Sequence, residues 1–323
     1  MPIIWIDTSI ITAMAQRKHG LCNLQPIQEK RIGWLYDQIY SKTRDGKILC
    51  PLAEQEAEIW VNRKKWLDTI HTLTLGIETL SEQGIHDSQF FAAMKAFVEK
   101  NVEVNISYRD IFYDDPVEEM KEALRSPFYL TVQGDILFGE EYQRKLKENI
   151  LNSLNELREK NVKNKITFKE QLEADFMGNL DALLIQLSQF YTNNYNGEED
   201  QFNAVSGVIV LSQQLKMWEE CTGKPYDIPG LTTFYKSLYY RNMPITELSC
   251  NLYAKMVVDK QPIRSGDRMD AKHIYTIMPY ADLFVTDKAM SAFLKKNEFD
   301  KKYSTKVCYV GDVEIMEGFF QKL

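Results

Sequence analysis

Short unbroken apolar runs lie near both ends of the chain, and amphipathic repeats fill the stretch between them. Residues 2–6 contain Ile3, Ile4, Trp5 and Ile6 without interruption, the pattern of a strand buried on both faces. A helical pattern follows from Thr8 to Gln16. In residues 27–42, Ile27, Ile32, Trp34, Leu35 and Ile39 make a helical stripe. Asp45-Gly46 signals a turn, residues 47–52 read as a second strand, and residues 53–70 as a helix. Strand, helix, helix, strand, helix is the opening of a parallel sheet with crossover helices.

From about residue 61 the pattern changes to long amphipathic helix. Residues 138–160 are charged and periodic, as in an exposed helix pair. Thr167-Phe168-Lys169-Glu170 matches a capping box that opens a helix running to about Tyr191. Further helices are expected at 203–220 and 244–259, the latter with Pro244 in its first turn. Short strands at 102–108 and 127–133 are weaker signals. The strand pattern then returns: helix at 269–279, strand at 282–286, helix at 287–297 and strand at 306–310. This implies one α/β domain made of residues 1–60 and 262–323, interrupted by a mostly helical insertion at 61–261.

Composition narrows the class without naming it. Hydrophobic residues at 44% and charged residues at 26% are ordinary for a globular protein. No apolar run reaches the ~20 residues of a membrane span, and the first residues carry no basic segment, so they read as a strand rather than a signal peptide. Five scattered cysteines without CxxC spacing fit a reducing cytoplasm and argue against a zinc site. A net charge of −7 does not advertise a polyanion partner, but residues 260–306 hold ten Lys/Arg against six Asp/Glu. The chain has no P-loop, no dinucleotide-binding glycine motif after a strand, no GxSxG elbow and no HExxH pair.

The chemistry-bearing residues are acids. Asp7 ends the first apolar run; Glu54, Glu56 and Glu58 follow the second; Asp267, Asp270, Asp282 and Asp287 crowd one later stretch. Carboxylates at strand ends of an α/β sheet converge on its ligand crevice. Without histidine or cysteine companions they suit hard cations such as Mg²⁺ or Mn²⁺, and hence phosphoryl chemistry. His273 stands near them and reads either as a core or surface histidine or as a phosphate contact or proton shuttle.

Ile-Trp-Ile-Asp7-Thr-Ser, a glutamate-bearing helix after the second strand, and the stretch from Asp270 to Val-Thr-Asp287 together resemble the PIN domain family of metal-dependent nucleases. The resemblance covers about 60 residues at each end. It implies a Rossmann-like α/β/α sandwich with a mainly parallel sheet, and hydrolysis of phosphodiester bonds, of RNA ahead of DNA, by a metal-activated water. It also implies the catalytic set Asp7, Glu58, Asp270 and Asp287, with Glu54 as the second choice for the glutamate. The family more often separates the threonine from its last acid, whereas Asp287 directly follows Thr286; Asp282 and Asp267 are therefore alternatives for that role. All seven acids are candidate ligands of Mg²⁺ or Mn²⁺.

Arg63, Lys64, Arg264, Arg268 and Lys288 are the candidate substrate-binding cations. Phe234-Tyr-Lys-Ser-Leu-Tyr-Tyr-Arg241 interleaves aromatics with cations, either to stack bases or as an amphipathic helix with Phe234, Leu238 and Tyr239 in the core. Arg158, Lys160, Lys163 and Lys165 track a backbone or favour a helix C-terminus. The insertion is expected to confer substrate choice or to bind a protein partner or inhibitor; a toxin or defence role rests on the resemblance alone. Two other readings stand beside the nuclease. One is a catalytically degenerate PIN-like module that binds RNA or protein. The other is a haloacid-dehalogenase-like phosphatase, which Gly266-Asp267-Arg268-Met269-Asp270 resembles, although that family wants an aspartate where Ser9 stands.

Overall fold

The computed structural model describes residues 1–323 except 22–23, 54, 56–65, 102–103, 105 and 127–139, and the side chains of 140–144, 146, 199 and 265. In chain order the elements are β1 (Ile4–Ile6), α1 (Thr8–Lys18), α2 (Pro26–Arg44), α3 (Leu67–Thr74), α4 (Glu82–Glu99), α5 (Pro116–Arg125), α6 (Glu140–Asn164), α7 (Phe168–Thr192) and α8 (Glu198–Thr222). Then come α9 (Ile228–Tyr235), α10 (Leu238–Arg241), α11 (Pro244–Val258), α12 (Ser265–Ile277), β2 (Leu283–Val285), α13 (Lys288–Lys296), α14 (Phe299–Lys302), β3 (Lys306–Cys308) and α15 (Val313–Phe320). The architecture is mixed α/β, with helices dominant and one small parallel sheet. No helix among the described residues is long and apolar enough to cross a membrane.

The chain divides into two compact units. The first holds residues 1–85, 107–145 and 272–323; the second holds 86–106 and 146–271. In the first, β1, β2 and β3 pair side by side in parallel, with Ile4 opposite Leu283 and Leu283 opposite Lys306. Segments 279 residues apart in sequence thus share a ladder, as the returning apolar runs require. The row continues past β1 through single bridges. Leu49 pairs with Ile3 and Leu52 with Glu78, both parallel, and Thr79 pairs with Phe112 antiparallel. The expected strand at 47–52 is therefore reduced to bridging residues. Its pairing is split, Leu49 to β1 and Leu52 to Ile77 and Thr79, and Pro51 between them has no N–H to give.

Side chains alternate across a strand, and here both faces are apolar. Ile4, Ile6, Leu283, Val285 and Cys308 join Ile10, Ile11 and Met14 of α1, Ile32, Leu35 and Ile39 of α2, Ile70 and Leu73 of α3, and Phe319 and Phe320 of α15. On the other face Trp5 stacks on Phe284, centroids 6.3 Å apart, and meets the His273 ring of α12 at 5.1 Å. A side chain such as Ile6 or Val285, fully withdrawn from water, contributes about 1.5–3 kcal/mol. Gly46 turns the chain out of α2 with φ +66°, a conformation that carries no penalty without a Cβ.

The second unit is helical. Its core is aromatic: Phe90 meets Phe234 edge-on at 5.2 Å, and Tyr235 meets Tyr240 at 4.6 Å. The Phe234–Arg241 stretch is thus core-forming, with Phe234 buried as expected but Tyr235 and Tyr240 in place of Leu238 and Tyr239. Ser237 caps a new helix, α10, so the single helical stripe is broken; Phe234, Tyr235 and Tyr240 are buried and Leu238 is exposed. Arg158 is buried as well, donating to the Lys260 carbonyl at 3.0 Å and to Asn155 Oδ1 at 3.3 Å, a structural use of its guanidinium.

Candidate functional site

Two aspartates leave adjacent parallel strands at the same edge of the sheet. Asp7 follows β1 and Asp287 follows Thr286 at the end of β2. Each begins a helix. The N-terminal N–H groups of a helix lack internal partners, and a short carboxylate supplies one. Asp7 Oδ1 accepts from the Ser9 N–H at 2.7 Å, and Asp287 Oδ1 accepts from Ala289 and Met290 at 2.6 and 3.1 Å. The Asp7 N–H donates to the Val285 carbonyl at 2.9 Å, and the Thr286 N–H to that of Cys308 at 3.0 Å, so the sheet ladder sets both positions. Asp287 Oδ2 accepts no hydrogen bond from the described residues.

The place matters because the chain leaves β1 in one direction along the row, toward Leu49, and reaches β2 on the other side. The order of segments reverses between β1 and β2. Such a reversal opens a crevice beyond the strand C-termini, where open α/β sheets bind their ligands. Asp7 is 5% exposed, and burial raises its carboxyl above the ordinary range. Hydrogen bonds from the Ser9 side chain and N–H oppose the rise, and the charge of Asp287 adds to it. A buried carboxylate whose proton affinity is raised by a second carboxylate beside it is a ready partner for a cation.

Gln55 is a neighbour that sequence reasoning missed. It is 1% exposed; its Nε2 donates to the Ile6 carbonyl at 3.3 Å, and its Oε1 accepts from the Ala53 N–H at 2.8 Å. It fixes the backbone just before Asp7. Its only signal was an amide among glutamates, which carries no pattern. Glu54 and Glu58, and the cations Arg63 and Lys64, lie outside the described residues. Lys288 is exposed beside Asp287, with its Nζ 5.9 Å from the centroid of the Tyr309 ring.

Asp282 is a correction. It precedes β2, at the end of the sheet opposite Asp7 and Asp287, and its Oδ2 accepts from the Ile3 N–H at 2.7 Å. It pins β1 to β2 and does not join the other two acids. Asp267 and Asp270 both lie on the part of α12 that belongs to the helical unit. Asp267 accepts from the Arg264 N–H at 2.8 Å and from its guanidinium at 3.0 Å, which ties Arg264 to the helix start. Asp270 and Arg268 are half-buried. Cys308, at the end of β3, is fully buried, and burial pushes its thiol up to about 12, so it offers no thiolate.

Among the described residues no group of three or more His, Cys, Asp or Glu converges as a metal site. The Asp7–Asp287 pair has the donor chemistry, though not the number, of a hard-cation site. Mg²⁺ is commonly held by one or two carboxylates while keeping several waters, and both groups here offer only oxygen. No protein-family model, curated protein or solved structure matches this chain.

Proposed function

We propose that the chain is a divalent-metal-dependent nuclease with a PIN-like sandwich, acting on RNA ahead of DNA. The observation that carries the reading is the placement of Asp7 and Asp287 at the C-terminal ends of adjacent parallel strands where the segment order reverses. Apolar packing on both faces of the sheet supports the sandwich. Asp7 and Asp287 would hold Mg²⁺ or Mn²⁺; Glu58 or Glu54 and Asp270 are ligands on the resemblance alone. When bound, the ion supplies an activated water and stabilises the displaced oxygen.

The chain's own residues do the remaining work. Ser9 and the start of α1 hold the Asp7 carboxylate in one orientation. Ala289 and Met290 fix one oxygen of Asp287, which leaves Oδ2 to face a ligand. Gln55 keeps the strand end before Asp7 from shifting. Lys288, exposed beside Asp287, would meet a phosphate of the backbone. The test is incubation of the purified chain with single-stranded RNA and DNA side by side, with Mg²⁺, Mn²⁺ or chelator. Metal-dependent cutting of RNA is expected. Binding without cutting under every metal would favour the catalytically degenerate module.

A further inference from the structure

Helix α8 has two apolar faces, and only one of them is packed. Ala204, Leu211 and Trp218 are buried, and Gly207 sits against the Gln186 side chain of α7. The opposite side of the helix carries Phe202, Val205 and Ile209, whose spacing of three and four makes one continuous stripe. These side chains are 70%, 39% and 54% exposed. A lone apolar side chain in water needs no explanation, but a contiguous run of them marks an interaction surface.

The charge around the stripe has one sign. Residues 170–215 take in nearly all of α7, the connecting loop and α8 to beyond Ile209; they contain seven Asp/Glu and no Lys, Arg or His. The whole chain has 46 acids against 39 Lys/Arg, so its excess of negative charge equals that of this stretch alone. Glu198 is exposed one turn before Phe202, on the same face. Lys216 is the first base after the stripe, about two turns past Ile209, and the exposed Glu219 and Glu220 follow it.

We propose that this face of α8 docks an amphipathic helix of a partner protein, one with Lys or Arg flanking its own apolar stripe. A stripe spaced three and four is what one helix presents to another. The acidic surround selects the charge of the partner. It repels RNA and anionic membranes, and a second copy of the chain seated stripe to stripe would set acids against acids. The face belongs to the helical unit and stands whether or not Asp7 and Asp287 are catalytic.

The test uses the full chain and two synthetic helical peptides of about 21 residues, three heptads with Leu at both apolar positions. One carries Lys at the flanking positions and the other Glu. Binding is read by fluorescence anisotropy of the labelled peptide at low and high salt. The wild type should bind the Lys peptide about tenfold or more tighter than the Glu peptide, and the margin should shrink as salt rises. The double variant Phe202→Ser, Ile209→Ser should lose about tenfold or more of its Lys-peptide affinity. Tyr113→Ser, at a 66% exposed aromatic of the other unit, should lose none. Both substituted side chains of the double variant face water, so its thermal melting should match the wild type. Glu198→Lys leaves the stripe intact; it should weaken the Lys peptide and tighten the Glu peptide, and it decides the matter if the double variant does not fold. Equal binding of both peptides, no binding of the Lys peptide, or affinities unchanged by these variants overturns the proposal. A wild-type dimer in sedimentation equilibrium that the double variant loses overturns it too, since a second copy would then be the occupant. So does stripe-dependent binding of single-stranded RNA or of phosphatidylserine vesicles.

Discussion

Asp7 caps α1 and ends β1, so a structural and a chemical demand fall on one side chain. Its carboxyl is raised above 3.8 in the folded chain, chiefly by burial. The folded state therefore holds the proton more tightly than the unfolded chain. Stability contributed at this position falls as pH rises from 3.8 through the folded value, and the loss is complete above it. Asparagine caps a helix as well as aspartate does and carries no charge. Asp7→Asn should thus melt at or above the wild-type temperature at neutral pH without metal, and the two should converge in acid. Added Mn²⁺ should raise the wild-type melting temperature and leave the variant's unchanged; equal shifts in both would place the ion elsewhere. Asp282 makes the opposite case. Its bond to the Ile3 N–H is charge-assisted and joins two strands. Asp282→Ala should lower stability by about 1–2 kcal/mol, measured by denaturant unfolding, and leave cleavage intact. Sequence spacing placed Asp282 among the ligands because it shows how near two acids are along the chain, not which end of a strand each occupies.

At the scale of elements, rules that act over three or four residues were legible and those that depend on tertiary pairing were not. Thr167 and Glu170 form both halves of the expected capping box, with the Thr167 N–H bonded to Glu170 at 2.8 Å, and α7 runs from Phe168 to Thr192. Thr167→Ala should cost about 1 kcal/mol, read as a lower melting temperature. No change would show that the cap is redundant. The stretch 47–52 has strand composition, yet its backbone bonds are divided between two neighbours around a proline, a fact that no local pattern carries. In the Phe234–Arg241 stretch the reading held for Phe234 and missed Tyr235 and Tyr240 for a related reason: one helix ends at Tyr235 and Ser237 caps the next. Gln55 was invisible because its role is made by contacts across the fold. His273, open in the sequence between core and surface, lies buried with its ring against Trp5.

For the whole molecule, the meeting of the two chain ends was the most legible feature, since apolar strand runs recur only there and an unpaired strand is not stable in water. β1 and β2 do pair in one parallel sheet, and that pairing sets Asp7 beside Asp287. The account's central claim is that this edge of the sheet cuts nucleic acid through a cation that Asp7 helps to hold. The direct measurement is cleavage of single-stranded RNA by wild-type chain and by Asp7→Asn, purified identically, across a Mn²⁺ and Mg²⁺ series. The account predicts metal-dependent cleavage by the wild type and a loss of about a hundredfold or more in the variant, which remains folded. Wild-type cleavage rates retained by folded Asp7→Asn would contradict it.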